Sequence, residues 1–62
     1  MDNIEKEANA ATELLKGKLF AEFLRPSDQE VRLVFLDGTR LYIDNVNGKV
    51  EVSITSGPPV KE

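Results

Sequence analysis

The side chains that could do chemistry in this chain are mainly carboxylates, because the sequence contains neither histidine nor cysteine. Asp28, Asp37 and Asp44 are the candidates for a cation site, since carboxylate oxygens bind hard metal ions. No D-x-D-x-D-G loop with a downstream Glu occurs, which excludes an EF-hand. Asp37 precedes Gly38 in a turn signal, so we assign these acids to turn and surface roles and expect no metal or other cofactor.

Acid–base and nucleophilic catalysis also need residues that this chain lacks. Without His, the side chain most often used for proton transfer near pH 7 is missing, and a serine has no imidazole to activate it. Without Cys, no thiol nucleophile, disulfide or thiolate zinc site can form. The remaining carboxylates and lysines show no catalytic spacing. We therefore predict that the chain is not an enzyme.

An aromatic and arginine set on the predicted sheet suggests a different chemistry. The set consists of Phe20, Arg32, Arg40 and Tyr42. Such residues on one sheet face are typical of platforms on which single-stranded nucleic acids stack. The net charge of −3 argues against this function, because nucleic-acid binding depends on clustered Lys and Arg. Single-stranded nucleic-acid binding is thus the alternative hypothesis.

The first element that must position these residues is an N-terminal helix that ends at Gly17. An apolar stripe recurs at i, i+4, i+7 and i+11, formed by Ile4, Ala8, Ala11 and Leu15. Gly17 follows the stripe and suits the left-handed position after a helix. The alternative is a helix that continues to Arg25, before Pro26. That helix would place Lys18 and Glu22 within its apolar face.

Four strands are predicted after the helix, over residues 18–25, 30–36, 39–45 and 49–55. Asn47-Gly48 predicts a two-residue type I′ hairpin loop that pairs Ile43 with Val52. At Asp37-Gly38 a two-residue loop would pair apolar with charged side chains. A three-residue loop over 36–38, with a left-handed glycine, instead pairs Val31 with Ile43.

The first hairpin carries the weakest turn signal. Pro26 suits a type I turn, and a three-residue connection over 26–28 would pair Phe23 with Val31. The same register places Phe20 opposite Val34 and Leu19 opposite Phe35. It therefore assigns Phe20 to the outer face of the sheet. Phe23, like Val50 of the fourth strand, is assigned to the inner face, on which the helix would pack.

Together these elements predict an α+β fold, with the N-terminal helix packed on one face of a four-stranded antiparallel meander. Residues 1–56 would form this single domain. Residues 57–62 would form a flexible C-terminal tail, since Pro58 and Pro59 cannot extend a central strand. At 62 residues a self-sufficient core is marginal.

The outer face of the predicted sheet keeps large apolar side chains where a solvent-covered face should be polar. With two flanking arginines they form the predicted protein interface: Phe20, Leu24, Arg32, Val34, Leu36, Arg40 and Tyr42. A sheet-on-sheet homodimer that buries about 800 Å² per chain would cover them. The alternative is an ordinary surface, because single exposed apolar residues are common.

The sequence thus predicts a small non-catalytic protein-interaction or regulatory module, partnered by a second copy of itself or by an unidentified protein. No apolar run approaches the length of a membrane span, so no membrane partner is expected. The first eight residues are acidic and polar, unlike a secretory signal. We accordingly expect a cytoplasmic location.

Overall fold

A computed structural model describes residues 3–61, which form one helix and one sheet. The elements are α1 (Asn3–Leu15), β1 (Phe20–Ser27), β2 (Glu30–Phe35), β3 (Arg40–Val46) and β4 (Lys49–Thr55). Neighbouring strands pair antiparallel in the order β1-β2-β3-β4, so the sheet is an open meander. The predicted α+β fold is confirmed. No helix within residues 3–61 is long and apolar enough to cross a membrane.

The helix ends at the predicted place. Gly17 has a φ of 79°, in the left-handed region that glycine reaches without steric cost. The Lys18 N–H donates to the Leu15 carbonyl at 3.1 Å and closes the last turn. Residues 20–27 form a strand, so the alternative of a helix that continues to Arg25 is wrong. Because Glu22 lies in a strand, it does not fall within the apolar stripe of the helix, as it would in the longer helix.

Both glycine-containing hairpins have the predicted registers. Asn47 and Gly48 have φ values of 54° and 79°, as a type I′ loop requires, and Ile43 pairs with Val52. In the β2–β3 connection, the Phe35 N–H donates to the Thr39 carbonyl at 2.9 Å around the loop over 36–38. Val31 pairs with Ile43 there, as the three-residue loop predicts.

The predicted register of the first hairpin is wrong. Phe23 pairs with Leu33 and Phe20 pairs with Phe35. The turn is the two-residue Asp28-Gln29, because Ser27 pairs with Glu30. The register of β1 against β2 shifts twice, between Phe20 and Glu22 and between Leu24 and Ser27. At each shift β1 contains one residue more than the stretch of β2 that it faces. Each shift is a β-bulge, which an alternation pattern alone does not anticipate.

The observed registers divide the sheet into two faces, because paired residues share a face and neighbours along a strand alternate. We call one the apolar face: Phe20, Phe23, Arg25, Val31, Leu33, Phe35, Leu41, Ile43, Asn45, Val50, Val52 and Ile54. We call the other the charged face: Glu22, Leu24, Ser27, Glu30, Arg32, Val34, Arg40, Tyr42, Asp44, Val46, Lys49, Glu51, Ser53 and Thr55.

Helix α1 runs beside β4. Clefts between the two elements are lined by Ile4 with Val50 at one end and by Leu14 with Ile54 at the other. No residue of α1 is buried, and the smallest extent of the Cα trace is 14 Å. The buried apolar residues are Val34 and Phe35. The core within residues 3–61 is therefore thin, with one buried side chain on each face of the sheet.

The segment 57–61 returns to the β2–β3 loop. The Val60 N–H donates to the Leu36 carbonyl at 3.0 Å. Gly38 has a φ of 95°, and a Cβ atom there would overlap the carbonyl oxygens of Gly57 and Pro58. The flexibility of residues 57–62 stays a prediction, and Glu62 lies outside the described residues.

Candidate interaction surface

The predicted interface residues do not share one face of the sheet. Phe20 pairs with Phe35 and lies on the apolar face, so its assignment to the outer face is wrong. The reason is the bulge at Ala21, which inserts one residue into β1 and moves Phe20 to the opposite side. Five of the others, Leu24, Arg32, Val34, Arg40 and Tyr42, lie on the charged face, and Leu36 lies in the β2–β3 loop.

The charged face does not present the exposed apolar patch that the sequence predicts. Val34 is only 3% exposed, and Leu24, Leu36 and Tyr42 are half-buried. Burial within the monomer leaves these side chains little apolar area to give to a partner. Their part in any interface stays a prediction.

Arg32 and Tyr42 interact with each other on the charged face. The guanidinium carbon of Arg32 lies 4.8 Å from the centroid of the Tyr42 ring, which is a cation–π geometry. Arg32 Nη2 also donates to Glu30 Oε2 at 3.1 Å. One face of Tyr42 is thus occupied, and Phe20 lies on the other side of the sheet. The predicted nucleic-acid platform is therefore not assembled on one face.

Three acids follow one another across the charged face. Glu30 pairs with Asp44, and Asp44 pairs with Glu51. Like charges in directly opposite positions are destabilising. Asp44 Oδ1 is buried and has no hydrogen-bond partner among the described residues. Within residues 3–61 no group of three or more acidic side chains is arranged to hold a metal ion.

Of the large apolar side chains within the strands, the most exposed lie on the apolar face; Leu19, just before β1, is also 68% exposed. Phe20 is 54% exposed, Phe23 56% and Val50 72%. The helix residues Ile4 and Leu14 beside this face are also more than half exposed. Among the described residues of the charged face, the one large apolar side chain of similar exposure is Val46, at 45%. Such an asymmetry is typical of a contact surface.

An aromatic pair anchors the β1 end of the apolar face. The rings of Phe20 and Phe35 lie 6.5 Å apart between centroids, with their planes at 84°. This edge-to-face geometry is favoured by the ring quadrupoles. Phe35 is buried and Phe20 is not. Phe20 therefore covers Phe35 and leaves its own outward side open.

Helix α1 leaves the β1 side of the apolar face uncovered. The helix lies at β4, where Leu14 and Ile54 line a cleft of about 350 Å³. A cleft of larger volume, about 910 Å³, is lined by Ile4 and Val50. At the other side of the sheet, Phe20 and Phe23 are open to solvent. Residues 3–61 thus provide one helix for a sheet whose apolar face is wider than the helix.

An ion pair ties the segment between α1 and β1 to the β2–β3 loop. Lys18 Nζ donates to Asp37 Oδ2, and Asp37 Oδ1 accepts the Thr39 N–H at 3.0 Å. The hydrogen bonds from Lys18 and then from Thr39 lower the pKa of Asp37 to about 2. Beside this pair, the Leu36 N–H donates to the Leu19 carbonyl at 2.8 Å. The ion pair therefore helps to place the start of β1 against the end of β2.

Sequence reasoning missed Phe23 and Val50 as exposed residues, because it assigned both to an inner face covered by the helix. A signal for the bulge exists in the stretch Phe20-Ala21-Glu22-Phe23. Two aromatic residues three positions apart fall on opposite faces of a regular strand. They share a face when one extra residue lies between them, as it does here.

No protein-family model, curated protein or solved structure matches this chain. The functional argument therefore starts from the geometry of the two sheet faces.

Proposed function

We propose that this chain is a small non-catalytic protein-interaction module that binds its partner through the apolar face of its sheet. The observation that carries the proposal is the exposure of Phe20, Phe23 and Val50 on that face, against the burial of Val34 on the other. Apolar surface removed from water contributes roughly 25 cal/mol per Å². A protein partner on the apolar face would therefore stabilise the fold as it binds.

The proposal moves the contact from the face predicted by strand alternation to the opposite one. The charged face uses its polar groups internally, since Arg32 stacks on Tyr42 and pairs with Glu30. The bulge at Ala21 adds Phe20 to the apolar face. A contact surface on the apolar face thus has an aromatic centre, which is typical of the residues that contribute most to binding.

A role by contact rather than catalysis also fits the residue types. The chain has neither His nor Cys, and the carboxyl group with a strongly lowered pKa, Asp37, has its hydrogen bonds within the fold. Its ionised state is explained by the Lys18 and Thr39 contacts. A regulatory role and the cytoplasmic location expected from the sequence remain part of this proposal.

Site-specific photo-crosslinking in the cells that make the protein tests the proposal. A photoreactive phenylalanine analogue replaces Phe23 in one variant and Val46 in a control variant. Both positions are exposed and apolar, but they lie on opposite faces of the sheet. We expect position 23 to give a discrete protein adduct and position 46 to give none.

The result that would overturn the proposal is an adduct from position 46 alone, or no adduct from either position. Mass spectrometry of the adduct identifies the partner. Fractionation of the same cells, with detection of the unmodified chain, checks the cytoplasmic location.

A further inference from the structure

We infer that the partner on the apolar face is a second copy of this chain, in a two-fold symmetric dimer. The inference rests on the proposed function, because it names the occupant of the same surface. In such a dimer the open β1–β2 side of the apolar face in one copy packs on the same region of the other. Phe20 and Phe23 then lie at the centre of the interface.

The exposed area of the monomer supports this occupant. A folded monomer of 6.9 kDa is expected to expose about 4,000 Å² by the scaling of surface with mass. This chain exposes 4789 Å², which is about 800 Å² more than that expectation. A standard interface buries about 800 Å² on each partner. The excess belongs to the whole chain, including helix α1, which has no buried residue. One symmetric contact of standard size would bury an area equal to this excess.

The width of the sheet explains why the monomer leaves this area open. A helix with its side chains is about 10–12 Å across, whereas four strands at about 4.8 Å spacing span about 19 Å. One helix is wide enough for about half of such a face, and α1 lies at β4, where Val50 is still 72% exposed. Residues 3–61 contain no second helix. No helix in this part of the chain therefore covers the β1–β2 side.

The absence of carboxylates on the apolar face favours a second copy over a basic partner. The strand residues of this face include no Asp or Glu, and its one charged side chain, Arg25, donates to the backbone carbonyls of Asp28 and Glu30. Each copy carries a net charge of −3, so a symmetric contact through the charged face would bring like charges together. On that face Glu30, Asp44 and Glu51 already lie side by side. Two copies that pack through their apolar faces do not bring carboxylates of one copy against carboxylates of the other.

Sedimentation velocity of the purified full chain, over a range of concentrations, tests the dimer. We expect a mass of twice 6.9 kDa for the wild type. Phe23→Glu should weaken self-association by about 30-fold or more, the loss typical of a central interface residue. The control Val46→Glu introduces the same charge on the opposite face and should leave the dimer unchanged. Far-UV circular dichroism establishes that each variant is folded.

A second measurement needs no substitution that could unfold the chain. Fluorine-labelled phenylalanine reports on Phe20, Phe23 and Phe35, and dilution of a dimer should shift the first two signals. A wild type that stays monomeric and shows no dilution shift would overturn the inference. So would dissociation by Val46→Glu but not by Phe23→Glu. If the purified chain is monomeric while position 23 crosslinks to a different protein in cells, the dimer fails and the proposed function stands.

Discussion

Phe20 and Phe35 meet edge to face across the first strand pair, with ring centroids 6.5 Å apart and planes at 84°. The contact exists because β1 has one residue more than β2 between Phe20 and Glu22. In an unbroken strand Phe20 would lie on the charged face beside Val34. One inserted residue, Ala21, therefore decides which face of the sheet carries the exposed aromatic side chains.

A double-mutant cycle should detect the coupling between the two rings. Phe20→Leu and Phe35→Leu, singly and together, should give a coupling energy of about 0.5–1.5 kcal/mol, the range for aromatic pairs. Urea denaturation measures the free energies of unfolding. The control cycle combines Phe20→Leu with Val34→Ala, whose side chain lies on the other face. Coupling to Val34 and none to Phe35 would show that the bulge is absent in solution.

Acidification should weaken the fold through Asp37. Its pKa is lowered from 3.8 to about 2 by the hydrogen bonds from Lys18 and Thr39. Because the folded value lies below the ordinary one, the ionised carboxylate favours the folded state. This contribution to stability is complete once the pH is about one unit above 3.8. It is lost as the pH falls through 3.8 toward about 2. The difference in unfolding free energy between wild type and Asp37→Asn should therefore shrink over that interval.

The control for Asp37 is the removal of its partner. In Lys18→Met the carboxyl keeps the Thr39 N–H but loses its largest stabilising contact. An NMR titration of the Asp37 carboxyl carbon should then show a pKa that moves up toward 3.8. An unchanged titration in Lys18→Met would mean that the Lys18–Asp37 pair is not formed in solution.

Alanine substitutions at two glycines should separate backbone strain from steric overlap. Gly38 and Gly48 both have positive φ, so alanine at either position costs about 1–2 kcal/mol. A Cβ at residue 48 meets no atom within 4 Å, whereas at residue 38 it overlaps the carbonyls of Gly57 and Pro58. Gly38→Ala should therefore cost about 1–3 kcal/mol more than Gly48→Ala. Chemical denaturation of both variants measures the difference.

Removal of the C-terminal segment provides the test of this explanation. In a chain that ends at Ser56, the carbonyls of Gly57 and Pro58 are gone, and the two alanine variants should be destabilised to a similar extent. Equal costs in the full-length chain would contradict the placement of the segment 57–61 against the β2–β3 loop.

Neutralising Asp44 should stabilise the fold. Asp44 lies between Glu30 and Glu51, and its Oδ1 atom has no hydrogen-bond partner among the described residues. Asp44→Asn removes two like-charge pairs and should raise the free energy of unfolding by about 0.5–1 kcal/mol. The control Asp28→Asn makes the same change in net charge within the β1–β2 turn. If Asp44→Asn destabilises the chain relative to Asp28→Asn, the carboxylate has a favourable partner in solution.

The fold was predictable wherever a glycine sets the turn. Gly17 ends the helix, and Gly38 and Gly48 adopt positive φ in loops whose lengths determine the β2–β3 and β3–β4 registers. In each hairpin the turn and the apolar pattern agree, so one register satisfies both. The α+β architecture follows from these three residues together with the helical stripe.

The first hairpin and the face that carries exposed apolar groups could not be predicted in the same way. Pro26 lies within the second register shift, where it avoids a ladder hydrogen bond, and it gives no information on the bulge at Ala21. That bulge brings Phe20 and Phe35 into contact across the strands. Local turn propensities carry no information about contacts between strands. The regular alternation of side chains along β1 therefore assigned Phe20 to the wrong face.

The most direct test of the account is a filtered NOE experiment on a mixture of isotope-labelled and unlabelled chains. It detects contacts between different copies and none within a copy. The account predicts intermolecular contacts from the Phe23 ring to apolar-face side chains such as Leu33 and Ile43. Intermolecular contacts from Tyr42 and Val46 instead, or none at concentrations where the wild type sediments as a dimer, would contradict it.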